Sequence, residues 1–200
     1  MNETHYSPLP LVAVGANEEQ QSSVTLERSE VQHDWLAMYS KPRLGSKIPS
    51  EGATTVMLDE FEIDIAIREN RACAISGQIP LRKYRPLVGF PSLLPRDPVS
   101  VRMVLDVEPE VGHVYEYPDH FQFRFISGHG CYVGKAPIDD IPSWAFCSAG
   151  FWVGIDNNNE SSLSALLIPF DEAGSIIYEE VTNSRKYRAM TMLGDLLGRK

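Results

Sequence analysis

Three stretches of the chain alternate apolar and polar residues with a period of two, and this constrains the fold more than any other feature. Phe61-Glu-Ile-Asp-Ile-Ala-Ile67 places large apolar groups at 61, 63, 65 and 67. Val99-Ser-Val-Arg-Met-Val-Leu-Asp-Val107 carries them at 99, 101, 103, 105 and 107, and Phe121-Gln-Phe-Arg-Phe125 repeats the pattern with aromatics. Successive side chains of a strand point to opposite faces, so a period of two marks half-buried strands with one wet face, which pair into antiparallel sheets. Trp144 to Ile155 is less regular but rich in aromatic and small residues. Asp156-Asn-Asn-Asn-Glu-Ser-Ser reads as a turn, and Leu163 to Ile168 as a returning strand. Near the end the period changes: Asn183 or Ser184 is placed to cap a helix in which Tyr187, Met190, Leu193 and Leu197 recur. Arg199 and Lys200 stand at its C-terminal end, where positive charge suits the helix dipole. The expected fold is α+β: a mainly antiparallel β-sheet packed by a C-terminal helix, with a flexible N-terminal tail.

Residues 1–30 are rich in Glu, Gln, Ser and Asn. Such a segment buries too little apolar surface to offset its ordering entropy. Residues 40–52 are punctuated by Pro and Gly, as linkers are. The expected division is therefore a flexible tail and linker over 1–52 and a single globular domain over 53–200, its ordered part starting near Thr54. With 200 residues and 43% apolar content the chain is long enough for a sizeable core. No apolar run reaches the ~18 residues of a membrane-spanning helix. Met1 to His5 lacks the basic and apolar regions of a secretory signal, so none is expected. Cys73, Cys131 and Cys147 are odd in number and far apart, which excludes a disulfide scaffold and suits a reducing compartment.

The net charge of −9 is unevenly spread. Residues 68–102 hold seven bases against two acids, whereas residues 103–180 hold thirteen acids against two bases. Phosphate binding wants a broad basic face, so this is not a general nucleic-acid coat. Either the blocks are a solvated surface with chance clustering, or a basic patch docks on an anionic surface while other faces meet cationic partners.

Tests for catalytic chemistry return little. His113, His120, His129 and Cys131 are candidate metal ligands, but they lack the paired spacing of zinc sites, and neither HExxH nor CxxC occurs. Cys147 lies among Phe146, Phe151 and Trp152 and Cys73 in Ala-Cys-Ala, both core-like settings for a thiol. Asp139-Asp140 and Glu179-Glu180 are adjacent acids, which on a strand point to opposite faces rather than forming a dyad. Phosphate-cradling glycine loops and a nucleophile elbow are absent from the sequence. No catalytic residue, metal or cofactor is assigned, and an enzyme is not expected. The alternative reading is a soluble β-rich ligand- or metal-binding module or enzyme. It would use the His113/His120/His129 region and a pocket lined by Trp144, Phe146, Phe151 and Trp152.

The most informative stretch runs from Arg82 to Arg96. Leu87, Val88, Phe90, Leu93 and Leu94 are large and apolar, and Pro86, Pro91 and Pro95 forbid a regular helix or a central strand. Arg82, Lys83, Arg85 and Arg96 fringe them. An apolar loop in a basic collar suits an anionic membrane surface. Each Lys or Arg near such a surface is worth about 1 kcal/mol. Each fully buried large apolar side chain is worth roughly 1.5–3 kcal/mol. The competing expectation is a loop folded back to cap the core. In the tail, Tyr6-Ser-Pro-Leu9 is a short extended peptide of the docking type, with Tyr6, Pro8 and Leu9 as its contacts. His33-Asp-Trp-Leu-Ala-Met-Tyr39 is an apolar island that either packs on the domain or orders on a partner through Trp35 and Met38.

Phe61 to Arg71, an alternating strand running into Arg-Glu-Asn-Arg, resembles the first-strand segment of rhabdovirus matrix proteins. Gly134-Lys-Ala-Pro137, an aromatic strand pair, Tyr178 and Asn183-Ser-Arg-Lys186 follow an order similar to that family's C-terminal half. Asp106-Val-Glu-Pro109 with Gly112-His113 is similar to matrix proteins of the related bornaviruses. The resemblance covers roughly residues 55–197 in scattered pieces. It implies a non-enzymatic structural protein of the virion that lies beneath the envelope and is also found in host cytoplasm and at membranes. It further implies self-association, nucleocapsid binding and budding, with Tyr6-Ser-Pro-Leu9 as a late-domain peptide for host budding machinery. The partners implied are an anionic membrane surface, the viral nucleocapsid, other copies of the chain and that machinery. Met38 stands where some members carry a tail methionine among acids that blocks host messenger-RNA export, although Tyr39 and Lys41 replace the expected neighbours. Familiar members have a Lys-rich N-terminus, whereas this tail is acidic, which leaves membrane contact to residues 82–96.

Overall fold

The structure is a computed structural model that describes residues 11–15, 19, 22–29, 35–42, 51–80, 94, 99–116, 121–126, 130–135, 137–141, 143–156 and 159–183. These residues form two sheets, one α-helix and a 3-10 turn over Ile138–Asp140. The seven-stranded sheet runs, edge to edge, β1 (Leu11–Gly15), β7 (Ser100–Leu105), β11 (Ser143–Cys147), β12 (Phe151–Asp156), β13 (Asn159–Pro169), β10 (Gly130–Gly134) and β9 (Gln122–Ile126). The six-stranded sheet runs β2 (Ser22–Arg28), β3 (Trp35–Pro42), β6 (Arg71–Pro80), β5 (Phe61–Ala66), β4 (Ala53–Leu58) and β8 (Val114–Glu116). Pairing is antiparallel except between β7 and β11 and between β4 and β8, so both sheets are mixed.

The alternation dictates the packing. In β5 Phe61, Ile63 and Ile65 turn inward while Glu62 faces water. In β7 Val101, Met103 and Leu105 do the same. The inward faces of both sheets share one apolar core. Phe61 of β5 and Phe123 of β9 stack across it with ring centroids 5.1 Å apart. Met38 of β3 reaches Cys131 of β10, sulfur to sulfur, at 3.8 Å. Between β5 and β6 the chain turns through Asn70, whose φ is 41°. Its side-chain amide donates to the Leu105 carbonyl and accepts from the Leu105 N–H, both at 3.0 Å, which ties this turn to the end of β7. Gly150 turns β11 into β12 at φ 101°, and a Cβ there would stand 2.7 Å from the Ser22 carbonyl oxygen. Only glycine allows both that conformation and that approach.

The strands begin well before the expected boundary at 52/53. Within the expected tail, β1, β2 and β3 supply Leu11, Val24, Leu26, Leu36 and Met38 to the core. The averaged composition of residues 1–30 hides this, because a strand with one inward face needs only two or three large apolar groups. The linker reading fails over residues 40–42, which close β3, while residues 43–50 lie outside the described set.

The helix α1 (Glu172–Asn183) also departs from expectation. Asn183 ends its described length instead of capping its start. The cap is Asp171, whose carboxylate accepts from the Gly174 N–H at 2.8 Å. The Asp171 N–H in turn donates to the Val24 carbonyl at 2.7 Å. The helix therefore lies along β2, the outer strand of the six-stranded sheet, and covers an edge that would otherwise be open to pairing. An exposed ion pair between Arg28 and Glu180, at 3.4 Å, adds little. Tyr187, Met190, Leu193, Leu197, Arg199 and Lys200 lie outside the described residues.

Candidate functional site

A sheet that faces water on one side shows polar residues there. The six-stranded sheet follows this rule over β4 to β6, where Glu62, Asp64, Thr55, Ser76 and Gln78 take its outer face beside Met57, while Trp35 and Tyr39 of β3 take the same face. The seven-stranded sheet does not. The positions alternate to its core residues are Trp144 and Phe146 on β11, Trp152 on β12, Leu167 on β13, Tyr132 on β10 and Ile126 on β9. Toward the β1 edge the face continues through Ser100, Arg102 and Val104 of β7 to Val14 of β1, which is 42% exposed. Arg124 of β9 projects on the same side, opposite Tyr132.

One part of this face is closed. Ile126, Tyr132, Ile141, Trp144, Ala165 and Leu167 form a second apolar cluster, separate from the core between the sheets. Tyr132 and Trp144 meet edge to face at 6.4 Å. Burial pushes the Tyr132 hydroxyl pKa up to about 12, with Arg124 pulling it down and Asp140 adding to the rise. The Trp144 indole N–H is sealed from solvent with no hydrogen-bond partner, an arrangement that costs about 1–3 kcal/mol. Ile138, Trp152 and Leu94 pack against the cluster from its margin. The other part is more open. Phe146 and Trp152 are cross-strand partners, both half-buried, with rings edge to face at 5.3 Å.

Leu94 is the one residue of the Arg82–Arg96 stretch that the structure describes. It is half-buried against the outer cluster and is not a fully exposed apolar side chain. Arg82, Lys83, Arg85, Leu87, Val88, Phe90, Leu93 and Arg96 lie outside the described residues, as do Tyr6, Pro8 and Leu9. Trp35 opens β3 and is half-buried opposite Pro80. Met38 is 1% exposed in the middle of the core. The expectation that Met38 meets a partner is therefore corrected: β3 is paired on both sides, and reaching Met38 requires opening the sheets.

No protein-family model matches the chain, and no curated protein matches it.

The residues proposed to line a pocket do not converge. Phe151 is fully buried in the core, while Trp144, Phe146 and Trp152 project from the opposite side of the sheet. His113 is exposed just before β8, its ring 4.4 Å from that of Tyr115, and His120 and His129 lie outside the described residues. Among the described residues no three His, Cys, Asp or Glu side chains are grouped to hold a metal. The thiols match their core-like settings. Burial raises the Cys73 pKa to about 11, with Asp64 adding to the rise, and burial alone raises that of Cys131. Thiols so protonated are poor nucleophiles near neutral pH. Among the described residues no helix is long and apolar enough to cross a membrane. Most of the outer aromatic and aliphatic face is closed, and Phe146, Trp152, Arg102 and Arg124 are among its partly or fully exposed members.

The sequence singled out Trp144, Phe146, Phe151 and Trp152, and the alternative reading made all four the lining of one pocket. Alternation within Ser143-Trp-Ala-Phe-Cys147 was the available signal. It puts small or thiol side chains on one face and two large rings on the other.

Proposed function

We propose that the chain is a matrix-type structural protein that adsorbs to an anionic membrane surface, self-associates and holds a viral nucleocapsid against the envelope. The observation that carries this reading is the position of Leu94. It belongs to the apolar, arginine-fringed proline stretch, and it packs on the outside of the seven-stranded sheet rather than in the core between the sheets. Two or three inserted apolar side chains at roughly 1.5–3 kcal/mol each, with about 1 kcal/mol per basic residue, give reversible attachment. Individually weak contacts suffice once copies are held side by side, because assembly raises effective concentration. The acidic outer face of the six-stranded sheet is left for cationic partners.

Vesicle flotation tests the reading. Leu87, Phe90 and Leu93, changed together to Ser, are expected to lower binding to phosphatidylserine vesicles by roughly a hundredfold, the effect of losing about 3 kcal/mol, with an unchanged circular dichroism spectrum. Unchanged binding by a folded variant contradicts the reading.

A further inference from the structure

We infer that the open edge of the six-stranded sheet at β8 takes up an extended, lysine- or arginine-rich segment of a partner protein as an added strand. This edge lies on the other sheet from Leu94, and its role does not depend on membrane contact.

Sequence and register together set this edge in the open. Residues 103–116 include Asp106, Glu108, Glu110 and Glu116 and neither Lys nor Arg. A turn over Val111 and Gly112, with Gly112 at φ 68°, brings the chain back alongside β4. It is pinned there. Buried Thr54 donates through Oγ1 to the Glu110 carbonyl at 2.5 Å, the Gly112 N–H to the Ala53 carbonyl at 3.1 Å, and the Thr55 N–H to the His113 carbonyl at 2.9 Å. β8 then pairs in parallel with β4, Val114 opposite Thr55 and Glu116 opposite Met57. Alternate residues of such a ladder turn their backbone groups to the neighbour, and the bond to the His113 carbonyl fixes which ones do. Val114 and Glu116 therefore aim N–H and C=O away from β4. β8 is last in its sheet, so no described strand meets them. The opposite edge of the sheet, β2, is covered by α1. Val111, at 74%, is the most exposed large apolar side chain among the described residues, and Val114 is 54% exposed.

The chemistry of this edge specifies its occupant. Outward backbone groups at a sheet edge are a template for another strand. Strand addition draws affinity from main-chain hydrogen bonds and specificity from alternate side chains. Val114 and Glu116 stand on the outer face with Thr55 and Met57, so an added strand sets every second side chain beside them. Across that face Glu116, Met57 and Glu62 are successive cross-strand neighbours, a thioether between two exposed carboxylates. A Lys or Arg on the incoming strand meets opposite charge there, while its aliphatic stem covers Val114 and Met57. A short, charged edge ordinarily keeps strands off. Here the charge repels acidic strands and admits basic ones, which makes the edge selective.

Fluorescence anisotropy of a labelled heptapeptide, Lys-Val-Lys-Thr-Lys-Val-Lys, with the full chain at low salt tests this. The peptide is expected to bind. The same peptide with every internal amide N-methylated keeps the charge but cannot pair as a strand, and it should bind at least about tenfold more weakly. Binding should slow amide exchange at Val114 and Glu116 and leave α1 unchanged. Glu116→Lys should weaken binding about tenfold. Val114→Pro removes an outward N–H that β4 does not use and should do the same with an unchanged circular dichroism spectrum. If that variant fails to fold, Glu116→Lys and the methylated peptide still decide. Equal binding of the methylated peptide reduces the contact to charge attraction and overturns the added strand. If Val114→Pro alters the sedimentation of the chain alone, the edge pairs copies of the chain and the basic-partner proposal is wrong. A wild type that does not bind the peptide also overturns it, while vesicle flotation decides the membrane reading separately.

Discussion

Burial sets the titration of several groups in this protein, and the sign follows from which form burial disfavours. Cys73 is pushed up to about 11 from 9.0, and Tyr132 up to about 12 from 10.0, because taking either side chain out of water penalises its anion. Hydrogen bonding to the Glu27 carboxylate raises the Tyr39 hydroxyl in the same direction. In each case the folded state keeps its proton at a pH where the unfolded chain has lost it. Stability is therefore complete below the unfolded values and falls as pH climbs past them, from about 9 upward. Urea denaturation should give a lower midpoint around pH 10.5 than around pH 8, and Cys73→Ala should narrow the difference. A midpoint that does not move across that range would show that these groups are solvated in the native state. The same protonation suits Cys73 and Cys131 to packing roles in this fold. Cys131 is fully buried against Met38, and a thiolate there would have no compensating charge.

Among the elements, the helix shows how a short segment protects a sheet. Asp171 caps α1 with its carboxylate and, through its own N–H, joins the helix start to β2. Asp171→Ala removes the carboxylate acceptor of the Gly174 N–H and should cost about 0.5–2 kcal/mol in urea unfolding. Asp171→Asn, which keeps an acceptor, should recover most of that loss. The strands over 61–66, 100–105 and 122–126 were legible because each alternates visibly over five or more residues, whereas 143–156, which holds β11 and β12, was marked only by its aromatic and small residues. β2 and β3 were not read as strands: Val24 and Leu26 are two inward residues in polar surroundings, whereas Trp35 to Tyr39 is apolar throughout and shows no alternation, although its packing on the domain was one of the two expectations. β10 was missed for the opposite reason: Gly-Cys-Tyr-Val-Gly is buried on both faces, so it shows no alternation. The helix boundary was missed because apolar spacing near the C-terminus outweighed the Asp171 cap signal, although Asp followed by Glu172 and a run of helix-compatible residues was present. The outer aromatic face was half legible. Its rings were noticed, but which side of the sheet each one takes depends on the register between β11 and β12, and Phe151 proves to be on the other side.

For the molecule as a whole, the two sheets bury one shared core and present unlike outer surfaces. The outer positions of one carry aromatic and aliphatic side chains, most of them buried, with Arg102 and Arg124, and those of the other carry Glu62 and Asp64 together with Trp35, Tyr39 and Met57. The central claim is that this protein works by adsorption to surfaces and to its own copies. Analytical ultracentrifugation of the full chain across a range of salt, with and without phosphatidylserine vesicles, tests it most directly. The account predicts reversible self-association alone, and co-sedimentation with vesicles that weakens as salt screens the arginines. A chain that stays monomeric at high concentration and low salt, and that leaves the vesicles untouched, would contradict it.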